Sequence, residues 1–252
     1  MKEFFDLSGK TAIVTGANTG LGQGMAIALA KAGANLCLVG RSGPDDTVAK
    51  IEEMGGRAHV ITADLSSTGP IDDIVSGTVD AFGAVDILVN NAGIIKRNDA
   101  LDFTEEDWDS VMDINLKTLF FLSQAAARQM IDQKSPGKII NIASMLSYQG
   151  GIRVASYTSS KSGVMGLTRL LANEWAKHEI NVNAIAPGYF ATNNTAALQA
   201  DEKRNTEILG RIPAGRWGAP ADLGGAVVFL SSPAANYVHG ITLPVDGGWL
   251  AR

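Results

Sequence analysis

The tightest constraint in this chain is a repeated alternation. Short runs dense in Val, Ile, Leu and Ala, each closed by turn residues, are separated by longer segments of helical period. The apolar runs fall at 11–15, 35–39, 58–62, 86–90, 138–143, 181–186 and 241–245, and the helical segments include 20–32, 72–82, 105–131 and 155–177. Runs of this length without polar alternation suit strands buried on both faces. Strands that alternate with helices join in parallel through right-handed crossovers, which lay helices on both faces of one sheet. The expectation is a single α/β domain over 1–252: a doubly wound, Rossmann-type, mostly parallel sheet of seven strands. No low-complexity linker marks a second domain. The rhythm lapses at 187–219, a polar stretch with Asn193, Asn194 and a short helix near 201–209; an excursion of that length at the ligand-binding end of a sheet reads as a substrate lid.

Composition removes several function classes. The single cysteine, Cys37, lies in an apolar run, so neither a disulfide framework nor a cysteine-based zinc site is available, and a reducing, cytoplasmic setting is expected. Residues 1–10 carry Lys2, Glu3 and Asp6 around Phe4 and Phe5, without the apolar core of a signal peptide. No run approaches the ~18 apolar residues of a membrane-spanning helix. The balance of 26 acidic to 21 basic side chains, net charge −5, supplies no footprint for nucleic acid. His59, His178 and His239 lack paired ligand spacing, so no metal is expected.

The first strand runs into Thr15-Gly16-Ala17-Asn18-Thr19-Gly20-Leu21-Gly22 and then an alanine-rich helix. Glycines there permit a tight turn and close approach of a diphosphate to main-chain N–H groups, at a helix N-terminus that favours anions. The spacing departs from the common Gly-x-Gly-x-x-Gly fingerprint, and by itself the segment also reads as an ordinary strand-to-helix turn.

Tyr157 and Lys161 stand four apart in a helical segment and so share a face, about 5–6 Å apart at Cβ. Ser144 follows the run 138–143, at the carboxyl end where open α/β sheets bind ligands, and Asn115 interrupts a helix. A tyrosine exchanging a proton with an alcohol oxygen near neutral pH needs its pKa of about 10 lowered by roughly 3–4 kcal/mol. An ammonium near 4 Å at an effective dielectric of 20 is worth at most ~4 kcal/mol. Lys161 is therefore sufficient in principle, and Ser144 could hold the oxygen on which charge develops.

These parts occur together, and the sequence resembles the short-chain dehydrogenase/reductase family over its whole length. The matching residues are Thr15-Gly16-x-x-x-Gly20-x-Gly22, Asp64 in Ala63-Asp64-Leu65, Asn90-Asn91-Ala92-Gly93, Asn115, Ser144, Tyr157-x-x-x-Lys161, Pro187-Gly188 and Asp246-Gly247-Gly248. The resemblance implies Tyr157 as general acid/base, Lys161 lowering its pKa and binding the nicotinamide ribose, Ser144 positioning substrate, and Asn115 holding a water in a proton relay. It implies a cofactor pocket of Gly16, Asn18, Thr19, Gly20, Leu21, Gly22, Asp64, Leu65, Asn91, Ala92, Gly93, Pro187 and Gly188, with Tyr157 and Lys161. The family commonly forms tetramers, so a homotetramer is expected, with Gly163 and Gly166 letting another helix approach.

Within the family, segments 139–153, 172–178, 186–195, 211–218 and 245–252 look like the 2-dehydro-3-deoxy-D-gluconate 5-dehydrogenases. That implies reduction of 3-deoxy-D-glycero-2,5-hexodiulosonate in pectin- and alginate-type uronate breakdown. Polar residues agree with a small anionic sugar acid: Arg153, Gln149 and Asn193 accompany Ser144 and Tyr157 as substrate-binding candidates, and Arg153 could clamp a carboxylate bidentately. Lys96 and Arg97 read as a solvated loop. The rivals are gluconate 5-dehydrogenase, 3-oxoacyl carrier protein reductase and, in another class, a non-catalytic dinucleotide-binding redox sensor. Cofactor choice is divided. The resembled group uses NAD, whereas Arg41, where an acidic residue would bond the ribose 2′-hydroxyl, favours NADP.

Overall fold

The computed structural model describes residues 2–252. Strands β1 (Thr11–Thr15), β2 (Asn35–Gly40), β3 (Ala58–Thr62), β4 (Ile87–Asn90), β5 (Gly137–Ile142), β6 (Ile180–Pro187) and β7 (Thr242–Val245) form one sheet in the order β3-β2-β1-β4-β5-β6-β7. Every adjacent pair is parallel. The strand order reverses direction between β1 and β4, so the crevice beyond their carboxyl ends is the ligand-binding point of this topology.

Period-two alternation distributes each strand between two cores. Ala12, Val14, Leu36, Leu38, Ile87 and Val89 pack with Met25 and Leu29 of α1 (Gly20–Lys31), Ile51 of α2 (Asp45–Glu53) and Val227 and Leu230 of α9 (Gly224–Ser231). Ile13, Cys37, Val39, Leu88 and Ile139 turn the other way. They meet Ile74 of α3 (Ile71–Phe82), Leu122 and Met130 of α5 (Leu119–Asp132) and Leu171 of α6 (Ala155–Trp175).

Three expectations are corrected. β3 is not buried on both faces: it is the sheet's edge, its pattern is largely exposed, and Val60 is 38% exposed. β7, at the other edge, is also only partly covered. The helical run 105–131 is not continuous. It comprises α4 (Glu105–Met112), capped by Thr104 through Asp107 N–H at 3.2 Å, then a π-helical turn Asp113–Thr118, then α5. The interruption foreseen at Asn115 is that π turn. Helix α2 was not foreseen. The stretch 187–219 holds α7 (Ala196–Ala200) and α8 (Glu202–Arg211) in place of one short helix.

Candidate active site

The cradle at the end of β1 follows from glycine chemistry. Gly16 and Gly20 have φ of +64° and +58°, backbone that side-chain-bearing residues rarely adopt. A Cβ at Gly22 would run into the Gly16 carbonyl oxygen, so only glycine lets α1 start this close to the turn. The Asn91 side chain donates to the carbonyls of Thr15 (2.9 Å) and Gly16 (3.1 Å), and the Thr15 hydroxyl accepts from the N–H groups of Asn91 and Ala92 (3.0 and 2.9 Å). These bonds lace the loops after β1 and β4 across the switch point. Helix α1 begins at Thr19 without a side-chain cap and with no acidic residue in its first turn, which leaves its first amides to an anion.

A cavity of about 1160 Å³ opens here. It is lined by Gly16, Asn18, Thr19, Gly20, Leu21, Gly22, Arg41, Asp64, Leu65, Asn91, Ala92, Gly93, Tyr157, Lys161 and Gly188. Pro187 is not in that lining; it is buried at the end of β6, against Val245 of β7. An uncapped helix start, a glycine cradle that any Cβ would fill and a large cavity fit a dinucleotide. At the end of β2, Arg41 and Ser42 face the cavity and the Asn18 side chain donates to Ser42 Oγ at 2.9 Å. No carboxylate stands there. Asp45 and Asp46 do not line it, and Asp46 is held by Lys50 at 2.6 Å. Asp64 accepts from Ser66 N–H at 3.0 Å, and that bond, helped by the Arg41 charge, holds its carboxyl below the usual range.

Tyr157 and Lys161 emerge one turn apart on α6, with Lys161 Nζ 5.8 Å from the tyrosine ring centroid. The ammonium is buried and donates to the Ile142 carbonyl at 2.6 Å; burial pulls it down to about 8. Burial also pushes the Tyr157 phenol up, opposed by the Ser144 hydroxyl and the Arg97 charge. In the protein alone the phenol is therefore raised, against the expectation, because a desolvated lysine engaged by a carbonyl does not offset the desolvation of the ring. Ser144 caps a 3-10 turn, Met145–Ser147, its Oγ accepting from Leu146 N–H at 3.1 Å. Ser147 was overlooked in the sequence. Its hydroxyl accepts from Ser144 N–H (3.3 Å) and donates to the Lys161 carbonyl (2.6 Å), joining the turn after β5 to α6.

Asn115 is fully buried and does not line the cavity. Its amide accepts from Ile94 N–H (2.9 Å) and donates to the Ile94 carbonyl (2.9 Å) and Ser160 Oγ (3.2 Å), so it fixes the loop after β4 against α6. The remaining substrate candidates border the cavity. Gln149 accepts from Trp249 Nε1 at 3.1 Å, and Asn193 is exposed in the stretch 187–219. The Arg153 side chain is 61% exposed and pairs with Asp99 at 3.1 Å, on a residue with φ of +65°. Lys96 pairs with Asp107 at 2.9 Å, while Arg97 lines the cavity. Both Arg97 and Arg153 thus line the cavity, Arg153 ion-paired and Arg97 not, among the described residues. Trp249 is buried, packs with Met145, Ile208 and Ile212, and carries the Arg211 guanidinium 4.0 Å from its ring centroid.

A phenol, a buried ammonium and a serine hydroxyl gathered at the mouth of a dinucleotide cradle define a dinucleotide-dependent oxidoreductase acting on CH–OH groups. Residues 16–250 match a family model described as enoyl-(acyl carrier protein) reductase. The chain belongs to the short-chain dehydrogenase/reductase family. It is 61% identical to the 2-dehydro-3-deoxy-D-gluconate 5-dehydrogenase of Escherichia coli (strain K12), over 98% of each chain. The enzyme of that name from Bacillus subtilis (strain 168) is 51% identical over 100% of this chain and 99% of its own. A crystal structure from Agrobacterium tumefaciens, assigned as a 2-deoxy-D-gluconate 3-dehydrogenase and holding NADP, is 58% identical, covers 99% of both chains and superposes with a TM-score of 0.94.

Proposed function

We propose that this chain moves hydride between NAD(P)(H) and C5 of a ketoaldonate, reducing 3-deoxy-D-glycero-2,5-hexodiulosonate to 2-dehydro-3-deoxy-D-gluconate in uronate catabolism. The observation that carries the reading is 61% identity along the full chain to a dehydrogenase of that name, supported by Tyr157, Lys161 and Ser144 lining one cavity.

The nicotinamide, when bound, supplies the hydride. In reduction the Tyr157 phenol donates its proton to the substrate carbonyl oxygen, and in oxidation its phenolate takes the proton of the hydroxyl. Ser144 donates to the same oxygen as charge develops there. Lys161 spends one N–H on Ile142 and has two more for the ribose hydroxyls. Asn115 keeps the loop after β4 in register with α6 and supports the proton relay. Gly16, Asn18, Thr19, Gly20, Leu21 and Gly22 receive the diphosphate, Asp64 and Leu65 the adenine, and Asn91, Ala92, Gly93 and Gly188 border the nicotinamide half, with Pro187 behind them holding Gly188 in place. Arg41 supports NADP as the preferred coenzyme. Gln149 and Asn193 contribute to the substrate rim, and 187–219 acts as a lid.

A homotetramer, the family's common assembly, is part of the proposal. Exposed Phe121 and Leu170, with Gly166 open, support a helix-to-helix interface; Gly163 does not, since Leu116 of its own chain lies where a Cβ would go. Among the described residues no helix is long and apolar enough to cross a membrane, and with Cys37 buried and unpaired a cytoplasmic location is proposed. The test is oxidation of NADPH and NADH followed with the hexodiulosonate, 5-keto-D-gluconate and an acetoacetyl thioester. Turnover should be confined to the ketoaldonates; silence with all of them would leave a non-catalytic sensor.

A further inference from the structure

We propose that Arg97 is the specificity-determining residue of this site: its guanidinium receives the carboxylate of the aldonate at the cavity wall shared with Tyr157 and Ser144. The inference deepens the proposed function and rests on it.

Besides Arg41 at the end of β2, Arg97, Arg153, Arg204 and Arg211 line the cavity. Three are engaged. Arg153 pairs with Asp99 (3.1 Å), Arg204 with Glu207 (2.9 Å), and Arg211 lies over the Trp249 ring. Arg97 has no hydrogen bond or ion pair among the described residues. A full charge facing a cavity with no protein anion beside it is a ready partner for a ligand carboxylate, and the planar guanidinium fits one bidentately. The backbone that presents it is held on both sides. Ile94 is gripped at N–H and C=O by the Asn115 amide, Lys96 is tied to Asp107, and Asn98 donates its N–H to the Arg153 carbonyl at 3.0 Å and its side chain to the Asp102 carbonyl at 2.8 Å. Arg153, by its carbonyl and its pairing with Asp99, is a strap for this loop. The charge of Arg97 already acts on the Tyr157 phenol, so a carboxylate seated on it lies within reach of the reacting oxygen's surroundings. A neutral ketose would leave that charge unanswered, and a site built for a charged partner rejects an analogue without one.

The test compares the hexodiulosonate with 3-deoxy-D-glycero-2,5-hexodiulose, the neutral diketone that bears CH2OH in place of the carboxylate and is otherwise the same. The wild type should favour the acid. In Arg97→Met, kcat/KM for the acid should fall about 10- to 100-fold, the range of a charged hydrogen bond, through KM, with the ketose little changed and the KM for NADPH unmoved. Arg97→Lys should recover part of the preference, and Arg153→Met should leave the acid-to-ketose ratio intact whatever its overall rate. An unchanged ratio in Arg97→Met, or its loss in Arg153→Met, overturns the inference. If the wild type reduces no ketoaldonate, the functional reading fails separately; calorimetric titration of the NADP-loaded protein with tartrate then decides. Binding lost in Arg97→Met upholds an anion site, and equal or absent binding in both proteins overturns it.

Discussion

The Lys161 ammonium lies 5.8 Å from the centre of the Tyr157 ring, yet its hydrogen bond runs to the Ile142 carbonyl at the end of β5. The lysine is thus anchored to the sheet and presents its remaining N–H groups to the cavity before any ligand enters. The phenol is left raised by burial, so its acidity depends on what joins the site. Tyr157→Phe should lower kcat at least about a thousandfold, within the range assigned to a positioned acid/base, while binding of NADPH, read by fluorescence, stays near wild type.

The direction of that shift fixes the pH profile. Reduction needs the protonated phenol and should hold from neutral to mildly alkaline pH. Oxidation needs the phenolate and should climb as pH rises. Because the Arg97 charge pulls the phenol down, Arg97→Met should move the rising limb of oxidation to higher pH. Initial rates in both directions from pH 6 to about 10 check this. A limb that stays in place would show that the phenol does not sense that charge.

Burial also makes stability depend on pH. Lys138 of β5 donates to Asn181 and Asn236 and is drawn down to about 8 from the ordinary 10.5. Below about 8 it is charged in both folded and unfolded chains, and the cost of burying that charge is fully present. Between the two values the unfolded chain binds a proton that the native state lacks, so stability rises with pH; above 10.5 both are neutral. From pH 7.5 to 9.5 the wild type should gain about 2 kcal/mol relative to Lys138→Met in urea unfolding.

The cradle admits no side chain at residue 22. Gly22→Ala sets a Cβ against the Gly16 carbonyl oxygen and the Asn91 amide, so α1 must retreat from the turn. Cofactor affinity should drop at least about tenfold and stability by roughly 1–3 kcal/mol, the usual range for overpacking. Paired binding isotherms and thermal melts measure both.

Arg41 should set coenzyme preference. With no carboxylate at the end of β2 and a guanidinium in the cavity, Arg41→Ala should raise the KM for NADPH about 10- to 100-fold and leave that for NADH within about threefold. Equal effects on both would place Arg41 outside the 2′-phosphate site.

Ser147 joins Ser144 to Lys161 through a single hydroxyl. Ser147→Ala should cost about 1–3 kcal/mol of stability by leaving the Ser144 N–H and Lys161 carbonyl with one partner fewer. It should also reduce kcat more than it raises KM. Steady-state kinetics beside denaturant unfolding separate the two effects.

Much of this was legible in the residues themselves. The seven apolar runs became seven strands because a run of branched apolar residues between turn formers has few other outcomes, and the five inner strands are buried on both faces. The four-residue spacing of Tyr157 and Lys161 placed them on one face of α6, and the crowding of Gly16, Gly20 and Gly22 marked the cradle. Edge placement was less visible in β3: His59 and Val60 sit in an apolar run as a buried strand might, but β3 is an outermost strand of the seven and both are exposed.

Local periodicity determined the alternation of strands and helices, the turn after β1 and the pairing of phenol with ammonium on one helix, since each depends on residues within a turn or two of one another. Only the tertiary structure decided that Lys161 binds Ile142, that Ser147 bridges to α6, that Arg153 meets Asp99, and that Arg97 has no hydrogen-bond or ion-pair partner among the described residues. A charge's neighbours come from distant segments brought together by the packed sheet, and electrostatic roles follow those neighbours rather than the residue's own type.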